Sequence, residues 1–165
     1  FDMIDPKILR SRMVIGYLTK HAKEATGLGK LDTVLNDTGM RDVFILRWCL
    51  LVSSKPILPD KVDTKDEEIL DKSKLPFDIE PDVLYTFNPF CDKSKAVESF
   101  EMKDLEELIV NKKKREDHFY KFTLDYGNKI FKFLCESAED RDKWIMAIQM
   151  SRATVKEIGR SHGAE

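Results

Sequence analysis

The sequence predicts a mainly β fold: seven antiparallel strands in a two-sheet sandwich or partly open barrel, with one C-terminal α-helix capping it. Three observations carry this. Residues 118–137 read HFYKFTLD, YGNK and IFKFLCES, two runs of period-two alternation joined by a tight turn. The helix-period run that follows, residues 138–158, sets Trp144, Ile148, Ser151 and Val155 on one face, with Ile145 and Ile158 beside it. Upstream, five further strand-like runs are separated by segments holding Gly, Pro, Asn and Asp, and no internal repeat links them.

Each element has its own signal. Residues 1–12 are a lead-in, helical or irregular, in which Pro6 suits a first helical turn. Residues 13–20 (MVIGYLTK) are the first strand. Residues 21–40 read as a long loop rich in Gly, Thr, Asn and Asp. Residues 41–52 (RDVFILRWCLLV) make a long second strand, apolar on both faces. Residues 53–82 carry Pro56, Pro59, Pro76 and Pro81 and are excluded from a sheet interior, so they form an insertion with one short helix at 66–72. Residues 82–90 are the third strand. Residues 98–103 and 105–112 are the next two, with a turn near Asp104, and 118–125 and 130–137 complete the sheet. Ser137 is the helix N-cap, with Glu139 and Asp140 in the first turn where the helix dipole favours anions. The single domain is expected to run from 13 to 158, with 159–165 as a tail. Tyr17, Phe44 and Trp48 read as packing residues.

The 165 residues suffice for one domain with a proper core. A net charge of −2 and pI near 6.0 argue against bulk nucleic-acid binding. The charge is unevenly placed. Residues 53–82 hold nine acidic and five basic side chains and carry −4, which leaves the rest of the chain at +2. Cys49, Cys91 and Cys135 are an odd number without metal-ligand spacing, and Cys49 and Cys135 sit in apolar runs; buried free thiols in a reducing cytosol are expected. No run approaches about 18 apolar residues, and no secretory signal is visible. A chain starting at Phe1 rather than Met is expected to be an excised piece, with any lipidation site upstream.

Several segments together are similar to the pleckstrin-homology (PH) family. Gly16-Tyr17-Leu18-Thr19-Lys20 resembles its first strand, Arg47-Trp48-Cys49-Leu50-Leu51 its second and Val83-Leu84-Tyr85-Thr86-Phe87 its third, and Trp144 matches its helix tryptophan. The resemblance implies a PH-type sandwich with a non-catalytic adaptor role at acidic membrane lipids. In phosphoinositide-binding members a Lys ends the first strand and a basic-x-Arg triplet sits in the second; Lys20 and Arg47 fit. Ile45 stands where the other base belongs, and Thr86 where many members have a phosphate-binding Tyr, which argues against tight binding of polyphosphorylated inositol lipids. The lysine-rich layout and long Gly-containing first loop also resemble the apicomplexan acylated PH-domain group, which reads phosphatidic acid on secretory-organelle membranes.

The resemblance implies that loops 21–40, 91–97, 112–117 and 126–129 converge at one open end. The lipid-binding residues expected there are Lys20, Lys23, Lys30, Arg47, Lys93, Lys95, Lys112, Lys113, Lys114, Arg115 and Lys129, with Leu28 and Leu31 entering the bilayer. Each base near an anionic surface contributes about 1 kcal/mol, fading over a Debye length. A phosphomonoester such as phosphatidic acid carries more charge than a phosphodiester, so such clusters favour it. The alternative is a PH-like protein-interaction domain using the helix surface or the 53–82 insertion. Enzymatic readings fail. Gly27-Leu28-Gly29-Lys30-Leu31 lacks the first Gly and the final Ser or Thr of a nucleotide loop. His21, His118 and His162 have no zinc-ligand spacing with Cys, and no nucleophile motif can be assembled. A peripheral protein on a cytosolic membrane face, with no cofactor or metal and no nucleic-acid partner, is the expectation.

Overall fold

The computed structural model describes residues 11–25, 40–57, 69–76, 78–90, 95–111 and 120–163. Among them are seven strands, β1 (Met13–Ala25), β2 (Met40–Val52), β3 (Val83–Phe87), β4 (Glu98–Glu101), β5 (Glu107–Asn111), β6 (Tyr120–Asp125) and β7 (Ile130–Cys135), and one long helix, α1 (Ala138–Gly163). Every strand pairing is antiparallel, in the order β4-β3-β2-β1-β7-β6-β5. The expected fold class is therefore present, as one continuous sheet. The sheet curls: Phe100 of β4 stands edge-on to Phe131 and Phe133 of β7, four places away in the strand order.

Cross-strand partners share a face, so the register sorts the side chains. Val14, Leu18, Cys49, Leu51, Leu84 and Phe100 point inward and meet Phe122, Leu124 and Phe133 from the other half of the curl. Trp144, Ala147 and Ile148 of α1 plug this core. Ser137 caps the helix as expected, its hydroxyl accepting the Asp140 N–H at 3.1 Å. Ser151, on the same face, is fully buried. The helix runs on to Gly163, past the expected end at Ile158, because Gly159 alone is a weak stop without a following proline.

β1 is five residues longer than expected. HAKEA has little strand character, but β2 offers a continuous partner from Val52 to Met40, and pairing overrides propensity. β3 stops at Phe87 because Asn88-Pro89 turns the chain, the Asn88 side chain accepting the Phe90 N–H at 2.9 Å. Met102–Asp104 form a single 3-10 turn where the bend near Asp104 was expected. Of the expected helix at 66–72, residues 66–68 lie outside the described residues, 69–71 are not helical, and Lys72–Lys74 form only a single 3-10 turn.

The connection between β2 and β3 is packed. Leu70, Leu75 and Ile79 cover Leu50, Val52 and Phe87 on the outer face of the sheet, forming a second apolar cluster. Asp82 ties this segment down. It is buried, has φ of 61°, and its carboxylate accepts the Ser54 N–H at 3.0 Å and the hydroxyls of Ser54 and Ser151. Its carbonyl accepts the Met102 N–H at 3.0 Å. One residue thus joins the end of β2, the turn after β4 and α1.

Candidate functional site

The register places several chain ends together. β1 ends and β2 begins at the Ala25–Met40 pair, and β3 runs antiparallel to β2 so that it ends beside Trp48. β4 begins opposite Thr86, and the β6–β7 turn follows the Asp125–Ile130 pair beyond the His21–Lys132 pair. These ends form one mouth of the curled sheet.

Lys20 and Arg47 are on the inner face near this mouth, because Lys20 pairs with Ile45 and Arg47 with core residue Leu18. The next inward residues are Thr86, opposite Cys49, and Glu98, opposite Thr86. The Lys20 Nζ donates to both Glu98 carboxylate oxygens, at 2.7 and 2.6 Å, and lies 5.4 Å from the centre of the Phe131 ring. Both side chains of this ion pair are largely shielded, 16% and 26% exposed. Arg47 Nε and Thr86 Oγ1 are buried with no hydrogen-bond partner among the described residues. Donors are therefore available beside the lysine.

Next to this group is a cleft of about 470 Å³ between β4 and the β6–β7 turn, lined by Glu98, Phe100, Glu101, Asp104, Tyr126, Lys129 and Phe131 among others. Phe100, Tyr126 and Phe131 make its aromatic wall, with centroids 4.6 to 6.2 Å apart. The Tyr126 hydroxyl donates to the Glu101 carbonyl at 3.1 Å. Burial, with Asp104 and Glu101 adding to it, pushes that phenol well above its ordinary range. The turn itself is built as expected: Gly127 has φ of 86°, its N–H is accepted by the Asp125 side chain at 2.8 Å, and Tyr126 N–H donates to the Lys129 carbonyl at 2.9 Å.

The expected basic residues divide into three groups. Lys20 and Arg47 adjoin on the inner face, and exposed Lys129 is on the rim of the cleft. Lys23 continues β1 toward the mouth, opposite Asp42, and exposed Lys95 precedes β4. Lys30, Lys93, Lys112, Lys113, Lys114, Arg115, Leu28 and Leu31 lie outside the described residues. The strand ends flanking 112–119 open at the opposite end of the sheet, since Asn111 pairs with Lys121 and Tyr120 with Cys135.

Two features escape a reading of the sequence alone. Carboxylates stand within the candidate site: Glu98 pairs with Lys20, and Glu98, Glu101 and Asp104 line the same cleft as Lys129, whereas the sequence put the acidic surplus in residues 53–82. The alternation Glu98-x-Phe100, with Phe100 certain to be core, is the signal that sends Glu98 inward. Exposed apolar side chains also gather at this end. Tyr17 and Phe44, expected to pack, are 54% and 56% exposed on the outer face, because the β2–β3 connection covers only the far half of that face. Phe44 stacks on His21 at 4.8 Å, and Tyr17 meets half-buried Trp48 edge-on at 4.6 Å. Leu46, Phe90, Val97 and Ile130 are exposed around the same end.

Cys49 and Cys135 are buried free thiols, both pushed up to about 12, chiefly by burial; Cys91 lies outside the described residues. Among the described residues no group of three His, Cys, Asp or Glu could hold a metal ion, and no helix is long and apolar enough to cross a membrane.

No known family pattern and no curated protein matches the sequence. Among solved structures, the chain is similar to the carboxyl-terminal PH domain of pleckstrin, with 13% identity over 87% of this chain and 99% of that one and a TM-score of 0.45. It is also similar to the N-terminal PH domain of human ARAP2, with 13% identity, a TM-score of 0.45, and 86% and 80% of the two chains covered.

Proposed function

We propose that this chain is a PH domain that docks on anionic phospholipid, phosphatidic acid foremost, at the cytosolic face of a membrane. Lys20 and Arg47 are the paired phosphate donors, and Lys23, Lys95 and Lys129 add attraction around them. The observation that carries the reading is the coincidence at one end of two inward cations with exposed Phe44, Leu46, Phe90 and Ile130. Cations supply attraction to an acidic surface at about 1 kcal/mol each, and each apolar side chain that leaves water adds about 1.5–3 kcal/mol when fully buried.

Compactness favours a single phosphomonoester. Two adjacent cations satisfy one phosphate of charge near −2. A polyphosphorylated ring would press its further phosphates toward Glu98, Glu101 and Asp104, with no base at Ile45 to receive them. The loop bases Lys30 and Lys93, with Leu28 and Leu31, remain proposed contacts; Lys112, Lys113, Lys114 and Arg115, which join strands whose ends open at the opposite end of the sheet, are left out of the proposed site. Docking of this kind needs no catalysis and no cofactor.

Vesicle sedimentation tests this, comparing phosphatidic acid, phosphatidylserine and phosphoinositide vesicles at two salt concentrations. Phosphatidic acid should pellet the most protein, less so at high salt, and the Lys20→Ala/Arg47→Ala double variant should bind roughly thirtyfold more weakly, since two lost cations amount to about 2 kcal/mol. Acidic vesicles left unbound at low ionic strength, or a double variant that binds like the unaltered chain, would overturn it. Exposed Tyr17, edge-on to half-buried Trp48, favours the alternative, a protein partner on the outer sheet face, and the first of those outcomes would turn attention to it.

A further inference from the structure

We infer that Glu98 is an internal counter-anion of the docking site: its carboxylate holds the place on Lys20 that a lipid phosphate takes, and docking proceeds by exchange of one for the other. This rests on the lipid-docking reading above and adds to it what sets the site's affinity. The Lys20 ammonium has three donors, and the two Glu98 oxygens at 2.7 and 2.6 Å engage it from one side while Phe131 closes another at 5.4 Å. The pair is shielded enough that an incoming phosphate cannot simply add to it; with Glu98 in place the ammonium is already neutralised, and a second anion would meet a carboxylate.

The geometry makes the exchange feasible. Glu98 is the first residue of a four-residue strand at the edge of the sheet, and its backbone neighbour Thr86 lies on one side only. Strand ends at a sheet edge open at low cost. The exchange is also favourable for the right anion. A carboxylate contributes one charge, whereas a phosphomonoester brings nearly two and reaches the unpartnered Nε of Arg47 beside Lys20. The other charged residues of the adjoining cleft are Glu101, Asp104 and Lys129. None of these is paired with Lys20 in the way Glu98 is.

The test measures binding to phosphatidic acid vesicles at fixed salt. Glu98→Gln keeps the shape and removes the charge, and it should bind about fivefold tighter, the gain of one released cation. Glu101→Gln makes the same change in net charge at a carboxylate that pairs instead with Lys103 at 3.6 Å, and it should gain less than twofold. In a Lys20→Ala background the Glu98→Gln gain should fall to that smaller level. If Glu98→Gln does not fold, Glu98→Asp, which retracts the carboxylate by one methylene, should still bind tighter than the unaltered chain. Unchanged or weaker binding by these variants, or equal gains at Glu98 and Glu101, would overturn the exchange while leaving the docking reading intact. Absence of vesicle binding by the unaltered chain and Glu98→Gln alike would overturn both.

Discussion

Asp82 offers the sharpest test of how this fold is held. The sequence gives it no obvious role, at the end of an acidic proline-rich segment, yet it is buried and serves three donors: the Ser54 N–H and the hydroxyls of Ser54 and Ser151. Asp82→Ala would strand all three. Hydrogen bonds to a charged group contribute about 1.5–3 kcal/mol each, but the hydroxyls can reorient, so a total of about 4 kcal/mol is reasonable for the network. A further cost arises from φ of 61°, a conformation that Asp and Asn tolerate and Ala does not, at about 1 kcal/mol. Asp82→Asn keeps the backbone preference and one acceptor oxygen, so about half the loss is expected. At roughly 2–4 °C per kcal/mol for a domain of this size, Asp82→Ala should lower Tm by about 10–20 °C and Asp82→Asn by about half as much. Thermal and urea unfolding of the two variants with the unaltered chain measures this. An Asp82→Ala variant within about 1 kcal/mol of the unaltered protein, or an Asn variant worse than the Ala one, would show that the carboxylate is not the joint described here.

Two further outcomes follow from local geometry. Gly127→Ala should cost about 1 kcal/mol, read as a Tm drop of a few degrees, because φ of 86° excludes a Cβ comfortably while the Glu106 carboxylate that the new methyl would meet at 2.8 Å can swing aside into solvent. In a Cys91→Ser background, neither Cys49 nor Cys135 should react with a thiol reagent at pH 8 unless the protein is unfolded by urea; since burial raises both thiols from 9.0 to about 12, the stability this reflects is complete below pH 9 and declines as pH climbs toward 12, which urea melts across that range will show.

The elements that were legible in the sequence are those whose cause is local. The Tyr126–Lys129 turn needs Gly127 at positive φ, the helix needs Ser137 before it, and Trp144, Ile148 and Ser151 recur at helical spacing; each signal lies within a few residues of the structure it specifies. Cys49 and Cys135 were readable as buried from the apolar runs around them. What was missed depends on residues far apart in the chain. His21–Ala25 become strand only because β2 is there to pair with. Leu70, Leu75 and Ile79 look like scattered apolar residues in an acidic insertion until the outer faces of Leu50, Val52 and Phe87 require a cover. Glu98 reads as a surface carboxylate on an edge strand until the curl of the sheet brings it to Lys20, 78 residues earlier. The candidate site was thus half legible: its cations carry a resemblance, but its counter-anion is set by tertiary structure.

That counter-anion changes what kind of docking the mouth can support. Were it lined by bases alone, attraction would depend on the count of lysines and would vanish with salt. Lys20 and Arg47 instead share the inner face with Glu98, and Lys129 shares the cleft with Glu101 and Asp104, so part of the positive charge here is offset locally. In the proposed exchange that charge acts at contact, where one phosphate would replace one carboxylate. In the proposed docking the remaining energy would come from the exposed apolar side chains at this end. Phe44, Leu46, Phe90 and Ile130 surround the mouth at a cost to the isolated domain's solubility, and a bilayer interface beside the phosphate would take them out of water. Under the proposed docking, selection by charge and retention by apolar burial would be separated onto the inner face and the rim, the first deciding which surface is recognised and the second how long the domain stays on it.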